Sequence, residues 1–294
     1  MALKIRRLSN ALGAEVQGLS IGEALSEEVR RELRAAFLAH GVLLFRDQDL
    51  TPEQHIAFTR VFGELDGNDA VPDYRHPDHP EIVLVTNRAE AGTLSPTRNI
   101  GRQWHSDHSM KTHPTLGSLL HAKELPEVGG DTMFANMHMA YDTLSDAMKR
   151  MLDPLWAVHD VTAARHLRTR PADYLAEKRR INPPVAQPVV RVHPETGRKA
   201  LYVSEMLTIR FVGMTEEESA GLLDFLFRHS VRPEFTYRHQ WRKHDLVMWD
   251  NRSTMHNALA DFDQSQIRTM HRTALVGTPS GYVLDEAPAA LAAE

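Results

Sequence analysis

Trp104-His105-Ser106-Asp107 and, far downstream, Met255-His256-Asn257 supply two histidines and one aspartate. Two neutral imidazoles and one carboxylate can hold Fe(II) on one face of its octahedron, leaving three positions for an oxidisable co-substrate and dioxygen. In a β-strand residues i and i+2 face the same side. The spacing therefore predicts that His105 and Asp107 grip one ion while Ser106 points away. The motif alone decides little, because the chain has 17 histidines and repeats a histidine-x-acid pattern at His76-Pro77-Asp78, His79-Pro80-Glu81 and His193-Pro194-Glu195. Context separates them. Pro77 and Pro80 deny the backbone the donors of a central strand and place His76 and His79 in a surface loop. His193 lies between a Val-rich run, 189–192, and Ala200-Leu201-Tyr202-Val203, which makes it part of a hairpin tip. The isolated His121, His159 and His229 read as surface or hydrogen-bonded residues.

The segment after His256, 257–266, is long enough for a hairpin return to Ile267-Arg268-Thr269-Met270-His271-Arg272. Alternation puts Arg268, Met270 and Arg272 on one face of that returning strand. Two arginines aimed at an interior are costly unless they meet anions. A guanidinium fork pairs two-pronged with a carboxylate, so Arg268 suits the far carboxylate of a dicarboxylic acid. Charge agrees, since Fe(II) with one aspartate leaves about +1, Arg268 adds about +1, and a dianionic co-substrate offsets both. Gly129-Gly130-Asp131-Thr132 permits a tight turn or a close backbone approach, and the Thr132 hydroxyl can donate to the same carboxylate. Blander readings compete. The arginines could form a surface ion-pair strand, the glycines a plain turn, and Trp104, Trp249 and Met270 ordinary core. A zinc hydrolase is a further alternative, but no His-Glu-x-x-His helix is present and Arg268 would have no role. A metal-binding protein without catalysis is the third class.

At 294 residues, 42% hydrophobic and 25% charged, the chain can bury a core as one large domain. We read 1–285 as that domain and the Ala-rich 286–294 as a frayed tail. The net charge of −5 gives no basic excess for nucleic acid or an anionic membrane, and neither partner is expected. The sequence offers neither a signal peptide nor a bilayer-spanning stretch, so the cytoplasm is the expected location. Having no cysteine, the chain has only histidine and carboxylate as metal ligands. Ser26 opens a helix in which Val29, Leu33, Ala36 and Phe37 recur and Gly41 stops. Thr51-Pro52-Glu53-Gln54 is a capping box with Ile56, Ala57, Val61 and Phe62 as the buried stripe. Thr215 to Glu218 repeats the box before Leu222, Leu223, Leu226 and Phe227, and another helix follows Ser145. Strand-like runs fall at 41–45, 82–85, 200–203, 246–249 and 273–276. Many short strands with helices around them predict a mainly β chain with helices (α+β), an antiparallel double sheet closed like a jelly roll.

From Leu12-Gly13-Ala14-Glu15-Val16 to about Gly277 the chain resembles the Fe(II)/2-oxoglutarate oxygenases related to taurine dioxygenase and 2,4-dichlorophenoxyacetate dioxygenase. The residues that carry the resemblance are Trp104-His105-Ser106-Asp107, Gly129-Gly130-Asp131-Thr132, the run from Gly197 to Val203, Asp245-Leu246-Val247-Met248-Trp249-Asp250-Asn251-Arg252, His256, and Arg268 to Arg272. It implies a double-stranded β-helix with His105, Asp107 and His256 as iron ligands. It implies that Thr132 and Arg268 hold the C5 carboxylate of 2-oxoglutarate, while Arg272 faces the acidic group of the prime substrate. With O2, such enzymes turn 2-oxoglutarate into succinate and CO2 and hydroxylate a second molecule. Related halogenases carry a small residue in place of the ligand aspartate, so Asp107 implies hydroxylation. At the position where the taurine enzyme holds its substrate amine with asparagine, this chain has Gly101, and a substrate histidine aligns near Asn68. Both departures, with the likeness of 237–252 to the phenoxyacetate enzymes, favour a small organic carboxylate such as an aryloxyalkanoate. A sulfonate or alkyl sulfate is the alternative. An enzyme of this size often forms a homo-oligomer.

Overall fold

Local caps start four helices where the sequence places them. In this computed structural model, which describes residues 3–67, 74–88 and 101–284, Ser26 accepts from the Val29 N–H at the head of α1 (Glu27–His40), and Gly41 ends it at φ +68°. Thr51 and Gln54 close a capping box on α2 (Pro52–Thr59). Asn136 caps α3 (Met137–Asp142), a helix not predicted from sequence, and Ser145 caps α4 (Asp146–Leu152). The unpredicted α5 (Ala172–Ile181) buries none of its residues. Thr215 and Glu218 box the start of α6 (Glu216–Ser230). The α2 stripe differs from expectation: His55, Ile56, Phe58 and Thr59 are buried, Ala57 is exposed, and the helix ends before Val61. Asn68 and the tail 286–294 lie outside the described residues.

The strands, in chain order, are β1 (Lys4–Arg7), β2 (Ala14–Gln17), β3 (Val42–Phe45), β4 (Val83–Thr86), β5 (Gly117–Glu124), β6 (Thr132–Asn136), β7 (Trp156–His159), β8 (Val185–Pro188), β9 (Val190–Val192), β10 (Lys199–Leu201), β11 (Thr208–Phe211), β12 (Thr236–His239), β13 (Leu246–Asp250), β14 (Thr254–Ala258), β15 (Thr269–Ala274) and β16 (Tyr282–Val283). The major sheet has the order β1-β2-β3-β13-β5-β15-β4. The pair β2 with β3, the one parallel pair among the described residues, is bridged by α1, as a parallel crossover requires. Smaller sheets, β12-β6-β14, β11-β7-β8-β16 and the β9-β10 hairpin, complete the jelly roll, and among the described residues they do not close with the major sheet into a barrel.

Packing follows strand alternation. Val42, Leu44, Leu120, Val247, Trp249 and Met270 face inward onto Phe134 of β6, while Leu43, Phe45, Leu119, Leu246 and Met248 face outward onto α1 and α2. Burial on both faces explains why these strands read as unbroken apolar runs. On the far side, Ala135 and Met255 pack against residues of α3, α4 and α6. Two expectations about connections are corrected. The segment after β14 makes no hairpin: β14 pairs with β6, whereas β15 pairs with β5 and β4, so 259–268 crosses from one sheet to the other. Nor do His105 and Asp107 lie in a strand. His105 makes an isolated bridge to His256 and Asp107 falls in a turn, because the next residue, His108, takes φ +54° and the Asp107 N–H donates to the Asn251 side chain instead of to a ladder.

Candidate active site

The bridge joins the two histidines directly. Their backbones exchange hydrogen bonds of 3.1 and 2.8 Å, and their ring centroids lie 4.1 Å apart. Ligand atoms of His105, Asp107 and His256 all fall within 4.8 Å of one another, and all three residues are buried. His105 Nδ1 donates to the Gln103 carbonyl at 2.8 Å, which leaves Nε2 as the ligand atom, 3.8 Å from Asp107 Oδ1. Ser106 points away, as alternation predicts, donating to the Thr254 carbonyl at 2.8 Å. Burial pushes the His256 imidazole down to about 3 and also lowers His105. Both rings are therefore neutral near pH 7, the form that binds a cation. Burial raises the Asp107 carboxyl, but Arg272, His256 and His105 outweigh it and hold the group well below the usual carboxylate range.

Asp107 is clamped by residues to which the sequence reading gave no role. Ser118 of β5 donates to its Oδ2 at 2.6 Å, and Asn251 Nδ2 lies 3.4 Å from the same oxygen. Asn251 Oδ1 in turn accepts from the Asp107 N–H and from Trp249 Nε1, both at 3.0 Å. Trp249 is thus core and positioner at once, its ring centroid also 4.7 Å from that of His256. The Asn251 signal was present in Trp249-Asp250-Asn251-Arg252, but its partners come from three separate segments.

Met270 and Arg272 face inward from β15, as alternation predicts, and Arg268 sits one residue before the strand begins. Arg272 Nη1 donates to Asp107 Oδ1 at 2.9 Å, and its buried Nε has no hydrogen-bond partner among the described residues. Arg268 Nε donates to the Gly130 carbonyl at 2.9 Å, and its buried Nη2 has no hydrogen-bond partner among the described residues. Burial, with Arg102 second, pulls Arg268 down to about 10, so it remains a cation at neutral pH. Gly129 and Gly130 serve both purposes foreseen for them. Each adopts positive φ, and a Cβ on Gly129 would stand 2.2 Å from the Asp261 carbonyl oxygen, while one on Gly130 would stand 3.1 Å from Arg268 Cδ. Thr132 opens β6 opposite Ala258, two residues along the sheet from the Phe134–His256 pair. That offset is roughly 7 Å, near the span of a five-carbon dicarboxylate. Beside His105 lies a cavity of about 390 Å³ lined by Gly101, Arg102, Gln103, Arg165, His166 and Met206, among others. The remaining histidine-acid patterns stay apart from this centre: His193 binds Asp250 at 3.0 Å, and His79 lies 3.3 Å from Glu53. His121, His159 and His229 are hydrogen-bonded, as read from sequence.

A facial donor set of two imidazoles and one carboxylate suits oxygen-activating iron, and the guanidinium groups of Arg268 and Arg272, each with a nitrogen unpartnered among the described residues, suit an anionic co-substrate. Jelly-roll fold and donor set together define the class, an Fe(II)- and 2-oxoglutarate-dependent dioxygenase. Residues 4–274 match the family described as taurine catabolism dioxygenase TauD, TfdA family, and the chain belongs to it. It is 33% identical over 286 residues to the alpha-ketoglutarate-dependent 2,4-dichlorophenoxyacetate dioxygenase of Burkholderia sp. (strain RASC), covering 94% of this chain and 95% of that one. It is 32% identical over 293 residues to an alkylsulfatase of Acinetobacter baylyi, covering 94% and 85%. Among solved structures, AAD-2 in complex with Mn(II) and N-oxalylglycine superposes with a TM-score of 0.87 at 36% identity, over 95% of this chain and 99% of that one.

Proposed function

We propose that the enzyme hydroxylates a small anionic organic molecule, foremost a carboxylate such as an aryloxyalkanoate, with His105, Asp107 and His256 holding Fe(II). When bound, Fe(II) would activate O2, the oxidant: 2-oxoglutarate would supply two electrons and take one oxygen atom as it gives succinate and CO2, and the other oxygen atom would enter the substrate. The observation that carries the reading is Arg272, which donates to the Asp107 carboxylate, together with the buried Arg268; among the described residues each has a buried guanidinium nitrogen with no hydrogen-bond partner. In this assignment Arg268 and Thr132 hold the C5 carboxylate, and Arg272 holds the anion of the prime substrate. Asn251 and Ser118 orient Asp107, and Arg272 helps keep it ionised. Gly101 supports a larger substrate, because a Cβ there would lie 3.6 Å from His105 Cε1 and narrow the approach from the adjoining cavity. A cavity of this size suits the body of an aryl acid. The relative named for 2,4-dichlorophenoxyacetate supports the carboxylate, and the relative named alkylsulfatase supports a sulfate or sulfonate, which the Arg272 fork also fits, as the second reading.

The same reading takes 1–285 as one catalytic domain, since β15 pairs into the sheet that begins with β1. A cysteine-free chain fits the cytoplasm, and among the described residues no helix is long and apolar enough to cross a membrane.

A screen of succinate formation across aryloxyalkanoates, alkylsulfonates and alkyl sulfates tests the proposal. Turnover is expected with the first group. Arg268→Ala should raise the 2-oxoglutarate requirement, and Arg272→Ala the KM of the prime substrate. Unchanged succinate production in both variants would refute the assignment.

A further inference from the structure

The stretch Tyr237 to Trp241 has no role in the site so far described, yet it ends against a residue of that site. Trp241 Nε1 donates to Thr132 Oγ1 at 3.0 Å, and among the described residues this is the Thr132 hydroxyl's only hydrogen bond. An indole N–H can only donate, whereas a hydroxyl has one proton to give and two lone pairs. Accepting from Trp241 occupies the lone-pair side of Thr132, and its proton is left to point elsewhere. Trp241 is itself held in place. The His239 ring meets it edge-on, with centroids 4.6 Å apart at 87°. His239 is fixed in turn by Asp245 Oδ2 at 3.2 Å and by the Tyr237 hydroxyl at 3.0 Å. Asp245 is buried and paired with Arg46.

We propose that Trp241 is a positioning residue for the co-substrate. Its N–H sets the Thr132 hydroxyl as a donor, so that Thr132 and the unpartnered Arg268 Nη2 both present hydrogens to the distal carboxylate of 2-oxoglutarate. A hydroxyl free to rotate offers lone pairs as readily as its proton, and lone pairs repel a carboxylate. With Trp241 in place, the pocket selects an anionic distal end. The inference rests on the assignment of Thr132 and Arg268 to the C5 carboxylate made above.

Calorimetric titration of the Mn(II)-loaded protein with N-oxalylglycine, which carries the same distal carboxylate, tests this without turnover. Trp241→Phe should weaken binding about three- to tenfold, the worth of one hydrogen bond. Thr132→Val should weaken it as well, and adding Trp241→Phe to Thr132→Val should cost nothing more, because Trp241 acts through the hydroxyl. Oxamate keeps the metal-chelating end and lacks the distal carboxylate, so it should bind Trp241→Phe as tightly as the parent. Should Trp241→Phe fail to fold, 3-benzothienylalanine at position 241 replaces the N–H with sulfur in a ring of nearly the same shape and should give the same loss. An unchanged N-oxalylglycine affinity, an equal loss for oxamate, or a further loss in the Thr132→Val background would overturn the proposal. Failure of the parent protein to bind N-oxalylglycine would instead overturn the co-substrate assignment beneath it.

Discussion

At the scale of single residues, the charge on Asp107 is stabilised by groups drawn from three segments. Ser118, Asn251 and Arg272 all donate to its carboxylate, and Asn251 also takes the Asp107 N–H. A ligand carboxylate held this way presents its remaining lone pairs in a fixed direction, so less orientational freedom is lost when an ion arrives. Asn251 contributes most of the geometry, because one side chain ties together Asp107, Ser118 and Trp249, and Trp249 packs on His256. Asn251→Ala should therefore weaken Mn(II) or Fe(II) affinity roughly 10- to 100-fold, the usual cost of losing a partner of a metal ligand. Measuring free Mn(II) by electron paramagnetic resonance during titration reads this out. An affinity unchanged to within about twofold would mean that Ser118 and Arg272 suffice to orient the carboxylate.

At the scale of elements, what was legible in the sequence was local and what was not was long-range. The capped starts of α1, α2 and α6 depend on residues three apart, so Ser26, Thr51 and Thr215 announced them. The inner face of β15 followed from alternation alone, which is why Met270 and Arg272 point the same way. By contrast, the crossing of 259–268 between sheets depends on which edge strand is free to pair, and nothing within 257–266 states that. The turn at Asp107 was equally hidden, since it is imposed by Asn251 from a distant loop. The loop between β13 and β14, which positions β14 and so His256, is anchored by a buried ion network of similarly long range. Arg252 binds Asp250 through Nε and Nη2 and reaches Glu195 in the β9–β10 hairpin, where Arg34 also pairs. Asp250 is fully buried, so Arg252→Ala would strand its charge with His193 as the remaining side-chain partner. A loss of about 3–5 kcal/mol is expected in urea unfolding. Arg34→Ala, which removes a partly exposed pair on Glu195, should cost less than about 1 kcal/mol. Equal losses would show that the network is held from its outer end.

At the scale of the whole molecule, the major sheet has two chemically distinct faces. The inner face carries Met270 and Arg272, and the outer face places His121 and His271 side by side beneath α2, whose His55 meets Thr273 at 3.1 Å. Burial, then Lys123, pushes His121 down to about 4 and His271 likewise to about 4, while burial holds His55 well below its ordinary value. Other charged and titratable groups around this layer include His76, His79, His244, Asp49 and Glu53. An unfolded histidine titrates near about 6.5, so between pH 6.5 and about 4 the unfolded chain binds more protons than the folded one. Stability must then fall as pH drops through that window and stay level above it. At pH 5.5 the deeply buried His121 accounts for about 1 kcal/mol, and the half-buried His271 for less through solvent screening. Metal-free protein should lose on the order of 5 °C in Tm between pH 7.5 and 5.5, before the depressed carboxylates Asp107 and Asp250 begin to protonate. Replacing both histidines, His121→Gln with His271→Gln, removes two of the proton acceptors and should flatten the slope, and thermal unfolding followed by circular dichroism at several pH values measures it. A slope of the parent protein that survives both substitutions intact would place the acid sensitivity on the other buried histidines, among them His55, His159 and His256.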